Sequence, residues 1–217
     1  GVRLTTFQLR YPRFIHAEEL THRVLKTQPE CVIYEAIPDG LMYDPNLSRN
    51  ASSSRAIPVN RMIEDLRRDP ARPIYWGSNK PGMQAGAELE MHDLLGAKCV
   101  WIAAMEDAIA HAETLMKAGL HKQIANRILE PWAHINVVVT ATEWNNFYTL
   151  RRHKDAQPEI KALADAMWEA QQASTPDLLQ PGQWHLPYVV NKAWAEITDS
   201  DRDERVEQAK KTSVPRC

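Results

Sequence analysis

A short polar segment, residues 48–55, has the composition of a phosphate-binding site. Its sequence, S-R-N-A-S-S-S-R, contains four serines, one asparagine and two arginines in eight residues. Serine hydroxyls and backbone N–H groups can donate to phosphate oxygens, and the planar arginine side chain can donate two parallel hydrogen bonds to one phosphate. The same composition is typical of an exposed polar turn, and composition alone leaves both interpretations open.

Three further arginines occur in segments whose pattern is otherwise apolar and helical. Arg127, Arg151 and Arg152 each have hydrophobic neighbours in predicted helices. Arginines in such positions usually extend their charged ends into solvent. They can also supply a fixed positive charge to an anionic ligand, so composition again leaves two interpretations.

The sequence lacks the common patterns for metal binding and for nucleophilic catalysis. His16 and His22 are six residues apart, whereas helical zinc ligands are four apart and therefore share one face. The three cysteines, Cys31, Cys99 and Cys217, form no C-x-x-C pair, and their odd number argues against a disulfide framework. The serine run lacks the flanking glycines of a nucleophile elbow. We therefore predict no metal site.

Composition also restricts the class of protein. The chain has 217 residues, 44% of them hydrophobic, which is enough for a substantial core. Lys and Arg total 26 and Asp and Glu total 28, so no general positive field favours nucleic acid. The longest apolar runs are far too short to span a membrane, and the first residues do not form a signal peptide. A cytoplasmic protein without nucleic-acid or membrane partners is expected.

Periodicity predicts an α+β fold, helix-rich, with a small mixed or antiparallel sheet and a single domain over residues 1–217. Strands are expected at 3–10 and 135–141, and helices at 15–25, 62–68, 86–118, 121–129, 142–150 and 156–172. In the longest helix, an apolar stripe including Val100 and Ala104 is expected to face the core. Residues 26–46 are interpreted as a loop or hairpin insertion, and 199–217 as a charged tail.

Three ordered segments resemble the flavin-dependent thymidylate synthases, whose signature is R-H-R-x-x-S-x-N-E-x-S-x-R. If the insertion is looped out, Thr21-His22-Arg23 and residues 48–55 match six of the eight fixed positions. Residues 126–131 resemble the family's A-R-x-x-L-P segment, and residues 146–160 resemble its N-x-x-x-L-R…A-Q-x-E-I segment. The flanking residues indicate a divergent branch found largely in phages and in secondary metabolism.

The resemblance implies roles for individual residues. Six would contact the nucleotide: Glu18, Ser53, Ser54, Arg55, Arg127 and Arg151. Ser53, Ser54 and Arg55 would hold its phosphate, and Arg127 would reach it from another subunit. Arg151 would contact the pyrimidine and stabilise negative charge on the ring, so Arg151 and Ser53 are the residues assigned to catalysis. The flavin would be lined by His22, Arg23, Ser48, Asn50 and Asn146.

The implied reaction is C5-methylation of a uridine 5′-monophosphate nucleotide. FAD would be the cofactor, and methylenetetrahydrofolate and NADPH the co-substrates that supply the methylene group and the electrons. The family forms its active sites at the subunit interfaces of a homotetramer, so a homotetramer is expected. Because residues 26–46 interrupt the signature, the two ends of this insertion are expected to lie close together beside the site.

Several departures from the family pattern leave a second function open. Thr21 and Ala51 replace the signature arginine and glutamate. The family's histidine-containing flavin segment has no counterpart, although residues 213–217 resemble the start of a corresponding stretch. A catalytically silent nucleotide-binding homologue with a regulatory role is therefore the alternative. Ala56 stands where better-known members have a tyrosine beside the sugar, and its smaller side chain makes UMP a candidate beside dUMP.

Overall fold

The computed structural model describes residues 2–17, 47–180 and 184–187. The strands are β1 (Thr5–Pro12), β2 (Ser48–Ala51) and β3 (His134–Ala141). The helices are α1 (Val59–Arg68), α2 (Met91–Lys117), α3 (Lys122–Ala125), α4 (Asn145–Arg151) and α5 (Pro158–Ala173), with 3₁₀ segments at Arg13–Ile15, Ser54–Ala56 and Asn126–Trp132. The predicted helix-rich α+β fold with a small antiparallel sheet is confirmed.

The three strands form one antiparallel sheet in the order β1-β3-β2. Its central strand, β3, comes last in the sequence and pairs with both neighbours. Thr6 and Ser48 lie opposite Thr140 from its two sides, so the three hydroxyl residues form one row across the sheet. The serine-rich segment therefore begins as an edge strand of this sheet.

The two faces of the sheet differ in character because side chains alternate along each strand. The apolar face carries Phe7, Leu9, Tyr11, Ile135, Val137, Val139 and Ala141, all buried beneath α4 and α5. The other face, called the polar face below, carries Thr6, Arg10, Ser48, Asn50, Asn136 and Thr140, which are exposed or half-buried. One side of the sheet thus builds the core, and the other offers polar groups.

A second hydrophobic cluster joins the helices to the end of the central strand. Its buried members are Val59, Met62, Ile63, Leu66, Met105, Ile109, Ala112, Ala125, Leu129 and Ala133. They come from α1, the C-terminal half of α2, α3 and the 3₁₀ segment before β3. This packing places residues 125–133 directly behind the serine-rich segment, which matters for the site.

The longest helix differs from the prediction in its start and in its buried face. It begins at Met91 rather than at 86, because residues 76–89 fold back on themselves through a bridge between Gly77 and Glu88. The predicted stripe is wrong at Val100, which is 68% exposed, and at Ala104, which is also exposed. Only the C-terminal half of α2 packs on α1, so the first half presents an apolar surface to solvent.

Two predicted regions lie outside the described ranges. Residues 18–46 include Glu18, His22, Arg23 and the whole insertion, and residues 188–217 include the charged tail. The close approach of the two insertion ends and the single domain over residues 1–217 therefore stay predictions. Among the helices that the structure describes, none has the length and apolar character needed to cross a membrane.

Candidate functional site

The serine-rich segment leaves β2 and forms a tight turn that is anchored to the central strand. The N–H of Ser52 donates to the Asn136 carbonyl over 2.8 Å, and the N–H of Asn136 donates to the Ser52 hydroxyl over 3.1 Å. The 3₁₀ turn Ser54–Ala56 follows, closed by the N–H of Ala56 on the Ser53 carbonyl at 3.0 Å. The turn is therefore held rigidly at the edge of the sheet.

The three side chains predicted to hold phosphate occupy different environments. Ser53 is half-buried and Arg55 is exposed, so both reach solvent. Ser54 is only 4% exposed, and its hydroxyl donates to Glu130 Oε1 over 2.6 Å. Ser53 and Arg55 are thus accessible to a ligand, whereas Ser54 is engaged inside the protein. The predicted contact between Ser54 and phosphate stays a prediction.

Three donor groups contact the Glu130 carboxylate next to this turn. Besides the Ser54 hydroxyl, Arg127 Nη1 lies 3.0 Å and Arg13 Nη2 lies 3.3 Å from the same oxygen, Oε1. Arg127 therefore stands close to the turn of its own chain. Sequence analysis assigned no role to Glu130, although this residue occupies the place of the leucine in the family's A-R-x-x-L-P segment and so carried a signal.

Asn126 binds the turn from the inside. Its side-chain Nδ2 donates to the carbonyl of Ser54 over 2.7 Å and to that of Ile57 over 2.9 Å, and the residue is 0% exposed. Sequence analysis missed this residue as well. It replaces the alanine of the family segment, so both departures within residues 126–131 contact the serine-rich turn.

The polar face of the sheet carries the two described β2 residues that were predicted to line the flavin. Ser48 lies opposite Thr140, and the hydroxyl of Thr140 is 2.7 Å from that of Thr6. His185 Nε2 lies 2.8 Å from the Thr6 hydroxyl, and burial lowers the pKa of this histidine. Asn50 lies two residues along β2 on the same face. His185 was not among the predicted site residues.

Helix α4 positions Asn146 and Arg151, both half-buried. Phe147 and Tyr148 on the same helix are buried against the apolar face of the sheet. Burial raises the pKa of Tyr148 to about 12, so its hydroxyl stays protonated at neutral pH. The helix therefore lies on the side of the sheet opposite the polar face that carries Ser48.

The neighbouring arginine, Arg152, has a different environment. Its Nε donates to Asp165 over 2.8 Å, and its guanidinium lies 4.6 Å from the centre of the Trp168 ring. The Asp165 carboxyl has a lowered pKa because Lys161 and Arg152 donate hydrogen bonds to it. Arg152 thus ties α4 to α5 through an ion pair and a cation–π contact.

A cavity of about 190 Å³ lies between the polar face and α1, behind the serine-rich turn. The Arg10 side chain lines this cavity and contacts both Asp69, at 2.7 Å, and His134 Nδ1, at 3.1 Å. Because Arg10 can only donate, Nδ1 of His134 is an acceptor here. Burial and the charge of Arg10 lower the pKa of His134, whereas the Arg10 hydrogen bond lowers the pKa of Asp69.

The histidines make the fold sensitive to acid. The pKa values of His16, His134 and His185 are all lowered, chiefly by burial, and the neighbouring arginines add to the effect at His16 and His134. The unfolded chain therefore binds more protons than the folded chain below pH 6.5, the ordinary histidine value. The contribution of these histidines to the free energy of unfolding is therefore fully present above pH 6.5 and is lost as the pH falls through their lowered pKa values.

We expect the free energy of unfolding, measured by urea denaturation, to be smaller at pH 5.5 than at pH 7.5. The variant His134→Gln should reduce this difference, because it removes one of the three groups that protonate on unfolding. An equally large pH dependence in the variant would show that His134 does not contribute.

Metal ligands are not grouped in the part of the chain that the structure describes. No three His, Cys, Asp or Glu side chains in residues 2–17, 47–180 and 184–187 are arranged to hold a metal ion.

Comparison with known proteins identifies the family of the chain. Residues 4–177 match the family described as "Thymidylate synthase complementing protein". None of the curated protein sequences matches the chain significantly. Among solved structures, the chain resembles the UMP/dUMP methylase PolB from Streptomyces cacaoi bound with 5-Br UMP, at 20% identity and a TM-score of 0.55. PolB bound with 5-Br dUMP matches at 19% identity and a TM-score of 0.52.

The structural alignments cover 77% of this chain in both cases, and 68% and 65% of the two PolB chains. At such low identity the likeness shows a shared fold, and the family match covers most of the described residues. The chain therefore belongs to the thymidylate synthase complementing protein family.

Proposed function

We propose that this protein methylates C5 of a uridine 5′-monophosphate nucleotide, dUMP or UMP, with FAD as cofactor and methylenetetrahydrofolate and NADPH as co-substrates. The observation that carries the proposal is the rigid turn 52–57, which exposes Ser53 and Arg55 at the sheet edge in a chain of this family. Two structural relatives are UMP/dUMP methylases bound with 5-Br UMP and 5-Br dUMP, which supports a pyrimidine nucleotide as the ligand.

The turn supplies groups of the right chemistry for the phosphate. The Ser53 hydroxyl can donate one hydrogen bond, and the Arg55 guanidinium can donate two to the same dianion. Arg127, which in its own chain is paired with Glu130 beside the turn, is proposed to reach the phosphate of a nucleotide bound to another subunit. By holding the phosphate, Ser53 also orients the nucleotide for reaction. Glu18 is proposed to contact the nucleotide as well.

Arg151 is proposed to act on the pyrimidine. When C5 becomes the nucleophile, negative charge develops on the ring carbonyl, and a guanidinium fixed in place stabilises that charge without reorganising. Arg151 is half-buried at the end of α4, where buried aromatic residues hold the helix. A half-buried guanidinium interacts with such charge more strongly than one in bulk water.

The polar face fits the polar edges of a flavin. Ser48 and Asn50 present a hydroxyl and an amide from neighbouring positions of that face, and both groups can donate and accept hydrogen bonds. Asn146, His22 and Arg23 are proposed to complete the binding site. When bound, FAD supplies the redox chemistry of one-carbon transfer, with electrons from NADPH. The residues of this chain would bind the flavin and the nucleotide, orient them and exclude water from the site.

A homotetramer is proposed as the working assembly, in the cytoplasm. The first half of α2 exposes Met91, Leu95 and Val100, at 69%, 55% and 68%. Exposed apolar surface of this kind commonly marks a protein–protein contact. An interface would also explain how α4, which packs on the apolar side of the sheet, can serve a nucleotide bound to the turn of another subunit.

The test is a reaction of the purified protein with FAD, methylenetetrahydrofolate, NADPH and either UMP or dUMP, followed by mass spectrometry of the nucleotide. We expect a product heavier by CH2, because a methyl group replaces the hydrogen on C5, and a flavin absorbance band in the protein. A colourless protein that binds UMP or dUMP but forms no product would favour the catalytically silent homologue, which the replacements Thr21 and Ala51 suggest. Failure to bind either nucleotide would exclude both functions.

A further inference from the structure

Three carbonyl groups in and beside the serine-rich turn, those of Ser54, Ala56 and Ile57, are held from one side. Asn126 Nδ2 donates to the carbonyls of Ser54 and Ile57, and Lys122 Nζ donates to that of Ala56 over 3.1 Å. These donors come from a single short stretch, α3 and the residue that follows it. The turn therefore has a side that faces this stretch and a side that faces away from it.

The planar peptide group transfers this orientation to an N–H group. In a trans peptide the C=O and the following N–H point in opposite directions. Because the Ser54 carbonyl points at Asn126, the N–H of Arg55 points away from Asn126. It therefore faces the side of the turn that is not occupied by α3.

We propose that Asn126 is a positioning residue for nucleotide phosphate. By fixing the peptide between Ser54 and Arg55, it aims the Arg55 N–H at the phosphate, together with the Ser53 hydroxyl and the Arg55 guanidinium. This inference rests on the proposed function, because it identifies a residue that shapes the phosphate subsite of the proposed nucleotide site. Asn126 itself is fully buried, so it is proposed to act through the turn and not by contact with the nucleotide.

The burial of Asn126 argues that its amide has a specific task. A buried amide costs free energy unless its polar atoms are hydrogen-bonded. Here Nδ2 makes two short bonds, both to the turn, whereas Oδ1 is buried without a hydrogen-bond partner. Alanine, the family residue at this position, would remove the buried Oδ1 but would leave the two carbonyls without these donors. The side chain is therefore matched to the turn rather than to its own helix.

Glu130 supports the same turn through a side chain. Its Oε1 accepts from the Ser54 hydroxyl and holds Arg127, so the inward side of the turn is fixed at the backbone and at the side chain. Ser54 then serves as the internal anchor, which leaves Ser53 and Arg55 on the accessible side. Asn126 and Glu130, the two departures from the family segment, thus hold the serine-rich turn together.

The test compares Asn126→Ala with Asn60→Ala, a matched control in which an exposed asparagine of α1 is changed. Calorimetry should give a Kd for UMP about tenfold higher in Asn126→Ala than in wild type, the effect of one or two lost hydrogen bonds. Affinity for uridine, which lacks phosphate, should stay within about twofold when measured by an NMR titration. The control should bind both ligands like the wild type.

A second measurement does not depend on the variant being folded. In an NMR titration of the wild-type protein with UMP, the backbone amide of Arg55 should show one of the largest shifts, because its hydrogen meets the phosphate. A shift no larger than that of the Asn60 amide would overturn the proposal. So would an unchanged Kd for UMP in Asn126→Ala, or an equal loss of affinity for UMP and uridine. If the wild type binds dUMP but not UMP, the same comparisons are made with dUMP; failure to bind either nucleotide would refute the proposed function, and this inference with it.

Discussion

Replacing Arg151 by alanine is expected to reduce the rate of nucleotide methylation by about 100- to 1000-fold, the usual effect of removing a group that stabilises charge in a transition state. The guanidinium is proposed to face the pyrimidine carbonyl, where negative charge develops only as C5 reacts. The loss should therefore fall mainly on kcat rather than on the KM for the nucleotide. Turnover measured by mass spectrometry of the product, at several nucleotide concentrations, separates the two.

The adjacent arginine provides the control. Arg152→Ala removes the bond to Asp165 and the contact with Trp168, which join α4 to α5. Both partners are partly exposed, so we expect a modest loss of stability, on the order of 1 kcal/mol, and nearly normal turnover. If Arg152→Ala abolished turnover while Arg151→Ala did not, the roles assigned to the two residues would be reversed.

Replacing Arg55 by alanine is expected to weaken UMP and dUMP binding by about 10- to 100-fold, the equivalent of one charged hydrogen-bonding group. Arg55 is exposed and its guanidinium makes no described internal bond that the substitution would break, so the thermal midpoint should change little. Calorimetric titration measures the affinity. Arg72→Ala, a change at another exposed arginine, should leave the affinity unchanged.

An unchanged affinity in Arg55→Ala would mean that the phosphate binds elsewhere. The arginine-lined cavity behind the turn, with Arg10 and Arg61 in its wall, would then be the next place to examine. Most of its arginines are already paired with Asp65 or Asp69, which makes it the weaker site for an anion.

The sequence predicted the parts of this molecule that depend on local pattern. β-branched residues at most positions predicted β3, and periodicity predicted the helix at 156–172, which is observed as α5. The serine-rich segment was predicted as a phosphate site from its residue types and from the family resemblance. The segment lies at the sheet edge with Ser53 and Arg55 accessible, and its role as a phosphate site stays a prediction.

Features that depend on tertiary contacts were not predicted. The bond between Asn126 and Ser54 joins residues 72 apart in sequence, and nothing in the local pattern of either segment indicates it. In α2, apolar residues lie on more than one face, so periodicity alone does not show which face is buried. The buried face is the one that packs against α1, and α1 packs only against the second half of the helix.

The two consecutive arginines illustrate the same limit. Arg151 and Arg152 have the same charge and are adjacent in sequence, and only the family motif separated them. The structure adds the contacts of Arg152 with Asp165 and Trp168, which give this residue a part in the packing of α4 against α5.

A crystal structure of the protein with FAD and 5-bromouridine 5′-monophosphate tests the central claim most directly. The account predicts that the phosphate contacts the Ser53 hydroxyl and the Arg55 side chain, that the pyrimidine carbonyl faces Arg151 of one of the subunits, and that C5 faces the flavin ring. A nucleotide bound away from the serine-rich turn, with Ser53 and Arg55 still in solvent, would contradict it.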